Sequence, residues 1–171
     1  MKRSLWLVAL LILVAAGSWF YLSHRAPPSP ERLTVYYTKS DGTTLGRWSV
    51  SLRPAQAGES AAEHQRNMAL YAAVQAVAGP PSGVQAIRFP NGTHVIDSRV
   101  SGSIATVDLS NEVSQQGGGT FGESGEFKGL VYTVTGVPGI DAVQVLVGGR
   151  KLDALPGGHL ELDQPLHRSD W

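Results

Sequence analysis

The residues with the most varied ligand chemistry lie near the C-terminus. His159, Glu161, Asp163 and His167 bring two imidazoles and two carboxylates close together in sequence. On an extended strand His159, Glu161 and Asp163 share one face, and such a set could hold a divalent metal in a hydrolytic site. A solvent-facing alternating strand gives the same pattern with no chemistry, and ligand type without geometry does not identify a metal site. An envelope hydrolase or metal-dependent enzyme built on this cluster is therefore the alternative to a non-catalytic reading, as is a small-ligand receptor.

Two other motifs fail on context. Gly117-Gly118-Gly119-Thr120-Phe121-Gly122 spells the dinucleotide fingerprint GxGxxG. The tight strand-to-helix turn that presents a pyrophosphate is absent, because a polar stretch separates Leu109 from Gly117. The strand after the helix ends in Gly148-Gly149-Arg150, with no acid for a ribose. A flexible Gly loop is expected, and no nucleotide. Gly122-Glu123-Ser124-Gly125-Glu126 approaches a nucleophile elbow but has Glu126 where the pattern needs glycine. Asp108 points away from the core face of its strand, with a turn-capping role expected through Ser110 and Asn111. Asn91-Gly92-Thr93 reads as a turn. No catalytic, cofactor-binding or metal-binding residue is assigned, and no cofactor is expected. Tyr36, Trp48 and Tyr132 are the aromatic candidates for a partner surface, with core packing favoured for Trp48.

The elements that would position these groups are readable in the alternation of apolar residues. Leu33, Val35 and Tyr37 share one face of a strand over 32–38, and Trp48, Val50 and Leu52 one face of a strand over 45–53. Asp41-Gly42 joins them as a hairpin. Ser60 and Glu63 form a capping-box pattern ahead of an alanine-rich helix. Its predicted buried stripe is Leu70, Ala73, Val74 and Val77, and Gly79 is its predicted left-handed C-cap before Pro80-Pro81. A second hairpin is predicted over 93–100 and 103–109. A second helix, capped by Thr120 or Ser124, carries Phe127, Leu130, Val131 and Val134 and ends at Gly136 and Pro138. A last strand follows over 141–147. The tail over 152–171 is expected to be an edge strand or a packed segment. The order β-β-α-β-β-α-β predicts a two-layer α+β domain over 31–171, with two helices on one face of a sheet.

Charge and hydropathy place this domain. Residues 5–22 carry no charge and as a helix extend about 27 Å, close to a bilayer's hydrocarbon thickness. Lys2 and Arg3 precede the run, and the positive-inside rule keeps the N-terminus cytoplasmic and exports the rest. A cleaved signal peptide, with Ala16-Gly17-Ser18 at the cut, competes, but the apolar run continues through Trp19-Phe20-Tyr21-Leu22 and favours an uncleaved single-pass anchor. Pro27, Pro28 and Pro30 make a stiff stalk, so residues 1–30 are anchor and linker. Residues 31–171 hold 11 basic against 14 acidic side chains, a net charge of −3. No cluster of Lys and Arg marks a nucleic-acid binder. The chain has no cysteine, which excludes disulfides, thiolate chemistry and a lipidated cysteine.

Four segments resemble the GerMN domain, the sporulation and spore-germination domain. They are AVQAVAGPPSG from Ala73, SIATVDLS from Ser103, LVYTVTGVPGIDAVQVLVG from Leu130 and GGHLELDQPL from Gly157. The resemblance implies an extracytoplasmic α/β domain tethered to a membrane, with envelope, sporulation or germination functions. It also implies a fold similar to ring-building domains that pack against other copies, and it carries over no catalytic residue. The expected function is a non-catalytic binding or assembly module in the cell envelope. Its partners are other envelope proteins or further copies of itself.

Overall fold

The computed structural model describes residues 32–52, 54–115 and 119–171, with Val14 and Gly17, both helical, from the N-terminal part. Contacts divide the chain into Met1–Pro30 and Glu31–Trp171, and the fold below is that of the second unit. The predicted span over 5–22 lies outside the described residues apart from Val14 and Gly17. Among the described residues no helix is long and apolar enough to cross a membrane.

The described elements run β1 (Arg32–Thr38), β2 (Leu45–Ser51), α1 (Ala61–Ala78), β3 (Val95–Ser101), β4 (Ile104–Leu109), α2 (Gly119–Val134) and β5 (Ala142–Val147). This is the expected order. The strands, however, form two sheets rather than one. β1 and β2 make an antiparallel pair, and β3, β4 and β5 a separate sheet in that order, with β4 and β5 parallel.

The reason for the division lies on β1. The backbone N–H of Tyr36 donates to Thr133 Oγ1 on α2 at 2.9 Å, and Ile87 N–H donates to the carbonyl of Thr38 at 2.9 Å. A helix side chain and a loop thus occupy the edge that a further strand would need. α2 can lie this close because it carries Gly129 there. A Cβ at Gly129 would come within 3.2 Å of the Tyr36 carbonyl oxygen.

Local chemistry sets the element ends. Asp41 Oδ1 accepts from the backbone N–H of Thr43 and Thr44 at 3.0 and 2.8 Å and closes the β1–β2 turn. Hydrogen bonds from Thr44 first, and from Thr43, hold its carboxyl down to about 2. At α1, Glu63 N–H donates to Ser60 Oγ and Ser60 N–H to Glu63 Oε2, the expected capping box. Gly79 ends the helix at φ +75° and ψ −179°, a conformation reserved for glycine but outside the left-handed helical well that was expected. Neither expected cap of α2 serves, because Thr120 and Ser124 both lie inside the helix.

The core collects Leu33 and Val35 from β1, Ala105, Val107 and Leu109 from β4, and Val143, Val145 and Val147 from β5. Phe127, Leu130, Val131 and Val134 of α2 are fully buried, as their spacing predicts. α1 buries Ala73 and Val77 as expected but departs at Leu70 and Val74. Its buried face is Met68, Ala69, Ala72, Ala73, Ala76 and Val77, while Leu70 is only half-buried and Val74 is 41% exposed. Four alanines on that face allow the helix to approach its neighbours closely, and Leu70 and Val74 lie off it.

The tail over 152–171 is not an edge strand. It touches the second sheet through one isolated bridge, Val143 to Leu166, and buries Leu155, Leu162 and Leu166. Arg168 ties its end to α2, donating to the Tyr132 carbonyl at 2.8 Å and to Thr135 Oγ1 at 2.7 Å.

Replacing Thr133 by Val tests the edge that separates the sheets. The buried Tyr36 N–H loses its acceptor, and we expect a stability loss of about 1–3 kcal/mol. A fall in the urea midpoint at unchanged slope is the readout; an unchanged midpoint would deny Thr133 that role.

Candidate functional site

The residues of highest chemical promise in the sequence do not meet. Among the described residues no group of three or more His, Cys, Asp and Glu side chains could hold a metal. The tail forms no strand over 159–163, so the shared face of His159, Glu161 and Asp163 does not exist. The backbone N–H of His159 donates to Glu123 Oε2 at 3.1 Å, and that of His167 to Asp170 Oδ2 at 2.7 Å. Ser124 sits in the helix, not on a strand-to-helix elbow. Of the Gly-rich motif, Gly119 to Gly122 are helical and Gly117 and Gly118 lie outside the described residues. Asp108 Oδ1 accepts from Gly149 N–H at 2.9 Å, bracing the turn after β5 rather than capping Ser110 and Asn111.

The aromatic candidates are accounted for within the fold. Trp48 is half-buried, packs against the core and lies 5.6 Å from the Tyr37 ring. Tyr36 and Tyr132 meet edge-to-face at 5.8 Å, and the Arg168 guanidinium sits 5.1 Å from the Tyr132 ring centroid. The chain's own tail therefore meets that pair.

What remains is a groove of about 580 Å³ between the end of β2 and the outward face of α1. Leu52, Met68, Leu70, Tyr71 and Val74 supply its apolar wall. That volume falls in the range of ordinary ligand sites. Glu59 and His64 mark its polar end. Glu59 accepts from Gln56 N–H at 2.9 Å and Asn67 Nδ2 at 2.6 Å, and lies 3.3 Å from His64 Nδ1. These bonds, Gln56 first, hold the Glu59 carboxyl below the usual range, so it is ionised at neutral pH. The groove thus offers an apolar wall with a fixed negative charge at one end. Sequence reasoning missed it because Leu70 and Val74 were assigned to the core. The available signal was that α1 carries two apolar faces, one of alanine and one of larger side chains.

One buried titratable group lies elsewhere, on α2. Glu126 is 6% exposed, and burial first, then the charge of Glu123, pushes its carboxyl up to about 8. Arg88 lines the same cleft but spends its guanidinium on the carbonyls of Pro80, Pro81 and Val84.

Two helices with two sheets define a mixed α+β domain, with an apolar groove along α1. Residues 34–153 match the family model described as "Germane: Sporulation and spore germination", and the chain belongs to that family. The first GerMN domain of the sporulation protein GerM from Bacillus subtilis superposes with a TM-score of 0.57 at 20% identity, covering 82% of this chain and 99% of that one. The tandem GerMN domains of the same protein give 0.59 at 20% identity, over 82% of this chain and 47% of that one. A "Putative Lipoprotein" from Clostridium perfringens gives 0.55 at 20% identity, over 83% and 90%. At such identities the likeness concerns the fold alone. The comparison with curated proteins gives no match.

Glu126 predicts a pH dependence. Its folded pKa of about 8 lies above the ordinary 4.5, so the folded chain binds the extra proton between those values. The stability tied to the neutral carboxyl is complete below pH 4.5 and drains away as pH rises through about 8. Glu126→Gln should flatten that decline and exceed the parent chain at alkaline pH by on the order of 2 kcal/mol. Urea unfolding at acidic and alkaline pH decides it; parallel declines in both proteins would remove Glu126 as the cause.

Proposed function

We propose that this chain is a non-catalytic binding and assembly module of the bacterial cell envelope, held to the membrane by residues 5–22 with its folded domain outside. The observation that supports this most directly is the open apolar groove beside α1. Val74 stays 41% exposed there while the equivalent positions on α2 are fully buried. Exposing apolar surface costs free energy in a free monomer and is recovered when a partner covers it. The run over 5–22, the proline stalk after it and membership of a sporulation and spore-germination family support the envelope setting. A role in sporulation or germination itself rests on that membership. The partner is another envelope protein that contacts the groove.

A photoreactive residue in place of Tyr71, which lines the groove, tests this in intact cells. We expect a discrete cross-linked adduct that disappears when Val74→Glu is added. The same probe at Ile96, 52% exposed on β3, should give none. Recovery of uncross-linked monomer alone would defeat the reading. The anchor is checked separately. The full-length chain should sediment with membranes and keep its N-terminal peptide by mass spectrometry, whereas a soluble, shortened chain would overturn it.

A further inference from the structure

The partner's conformation can be read from the hydrogen-bond parity of the first hairpin. In an antiparallel pair, both backbone groups of a given residue point to the same side of the strand, and successive residues alternate. Tyr36 gives its N–H to Thr133 on α2, and the Thr38 carbonyl accepts from Ile87. The even-numbered residues of β1 therefore point away from β2. Leu33, Val35 and Tyr37 are the ones bonded to Val50, Trp48 and Gly46 opposite them. The Lys39 N–H to Thr44 carbonyl bond, 2.8 Å at the turn, has the same parity.

On β2 the consequence is reversed. Arg47, Ser49 and Ser51 lie opposite Tyr36, Thr34 and Arg32, so their N–H and carbonyl groups point outward. β2 pairs with β1 alone among the described strands, and the three residues are exposed. The outer edge of β2 is thus an unpaired ladder about 13 Å long from Arg47 to Ser51. It lacks the usual protections of an edge, since Leu45–Ser51 contains no proline and a single charge, Arg47.

This edge runs into the groove. Ser51 and Leu52 line it, facing Met68, Leu70, Tyr71 and Val74 of α1. Past them, Glu59 and Glu63 share the adjoining surface with Arg66, and Glu59 also lies 3.3 Å from the His64 ring. Arg47 marks the opposite end. Main-chain hydrogen bonds beside an apolar wall, with opposite charges at the two ends, match an extended segment better than a helix, whose backbone groups are already paired.

We propose that the outer edge of β2 takes an extended segment of a partner protein as an added strand, its alternate apolar side chains in the groove and a basic residue at the Glu59 end. This rests on the binding-module reading and specifies what the groove binds.

The test uses the full chain in detergent micelles and fluorescein-labelled peptides of about six residues, the usual strand length. The peptides alternate Val and Thr, with Lys at either end. Binding by anisotropy is expected for one Lys placement over the other. Methylating alternate peptide amides should weaken it roughly tenfold or more, as should Ser49→Pro in the protein, since each removes edge hydrogen bonds. Ser49 N–H has no acceptor among the described residues, so the proline is tolerable there; thermal unfolding checks this, and the methylated peptides need no protein change. Glu59→Gln should remove the preference for Lys placement. Equal binding of methylated peptides, preference for a helical peptide of like composition, or no binding by any peptide would overturn the proposal. Concentration-dependent dimerisation abolished by Ser49→Pro would also overturn it, by assigning the edge to a second copy. If Val74→Glu removes the cellular adduct and Ser49→Pro does not, the module reading stands and the added strand falls. If no adduct forms at all, the module reading falls first.

Discussion

The domain depends on how the backbone of Tyr36 is satisfied. A strand edge normally has two fates, a neighbouring strand or water. Here the inner edge of β1 has a third, the hydroxyl of Thr133, which accepts from Tyr36 N–H and donates to the Gly129 carbonyl one turn earlier at 2.7 Å. A threonine inside a helix commonly bonds back to the preceding turn. In this position the same oxygen also terminates a sheet. α2 is thereby fixed against β1 at a distance where a Cβ at 129 would crowd the Tyr36 carbonyl oxygen at 3.2 Å. The five described strands divide into two and three, and β2 is left with one neighbour.

That arrangement separates the stabilising part of the molecule from the part available for contact. α2 and β4–β5 hold the fully buried aliphatic side chains, and the tail closes over them through Leu162 and Leu166. Arg168 adds a cation near the C-terminus of α2, where the helix dipole favours positive charge. α1 is different. It meets its neighbours through alanines, which pack closely but bury little area each, and it keeps Leu70, Tyr71 and Val74 on the groove side. The helix is thus a wall shared between the core and a surface. The alanine face serves the core, and the larger face lines the groove.

Much of this was legible in the sequence, and the failures have identifiable causes. The second helix was legible because Phe127, Leu130, Val131 and Val134 fall on one stripe, and hydrophobicity and burial agree there. The first helix was placed correctly by Ser60, Glu63 and Gly79, and Ala73 and Val77 are buried as expected, but Leu70 and Val74 were misassigned to the core. Ranking by hydrophobicity favours Leu70 and Val74 over Ala69, Ala72 and Ala76, whereas close packing favours the reverse. The tail packs, as one of its two expected forms, and the strand alternative failed for another reason. His159, Glu161 and Asp163 alternate as a strand would, yet Pro156 and Pro165 bracket a segment whose backbone contacts go to Asp153 and, through its side chain, Gln144. Spacing showed what a strand would do with those residues and not whether one forms. The division into two sheets had no signal in alternation, because it turns on a threonine hydroxyl and a loop amide, Thr133 and Ile87, that are distant from β1 in sequence.

The location of the groove follows from the same error. An amphipathic helix has one apolar stripe when it needs only to fold. A helix with an alanine stripe and a separate stripe of larger apolar side chains has more apolar surface than folding uses. The excess in α1 lies next to the only edge of the hairpin that Thr133 and Ile87 leave open among the described residues. Unpaired backbone groups and uncovered aliphatic surface are each unfavourable in water-poor contacts with the wrong partner. Placed side by side, they are what the proposed added strand would satisfy together, with main-chain hydrogen bonds and apolar side chains in strand register.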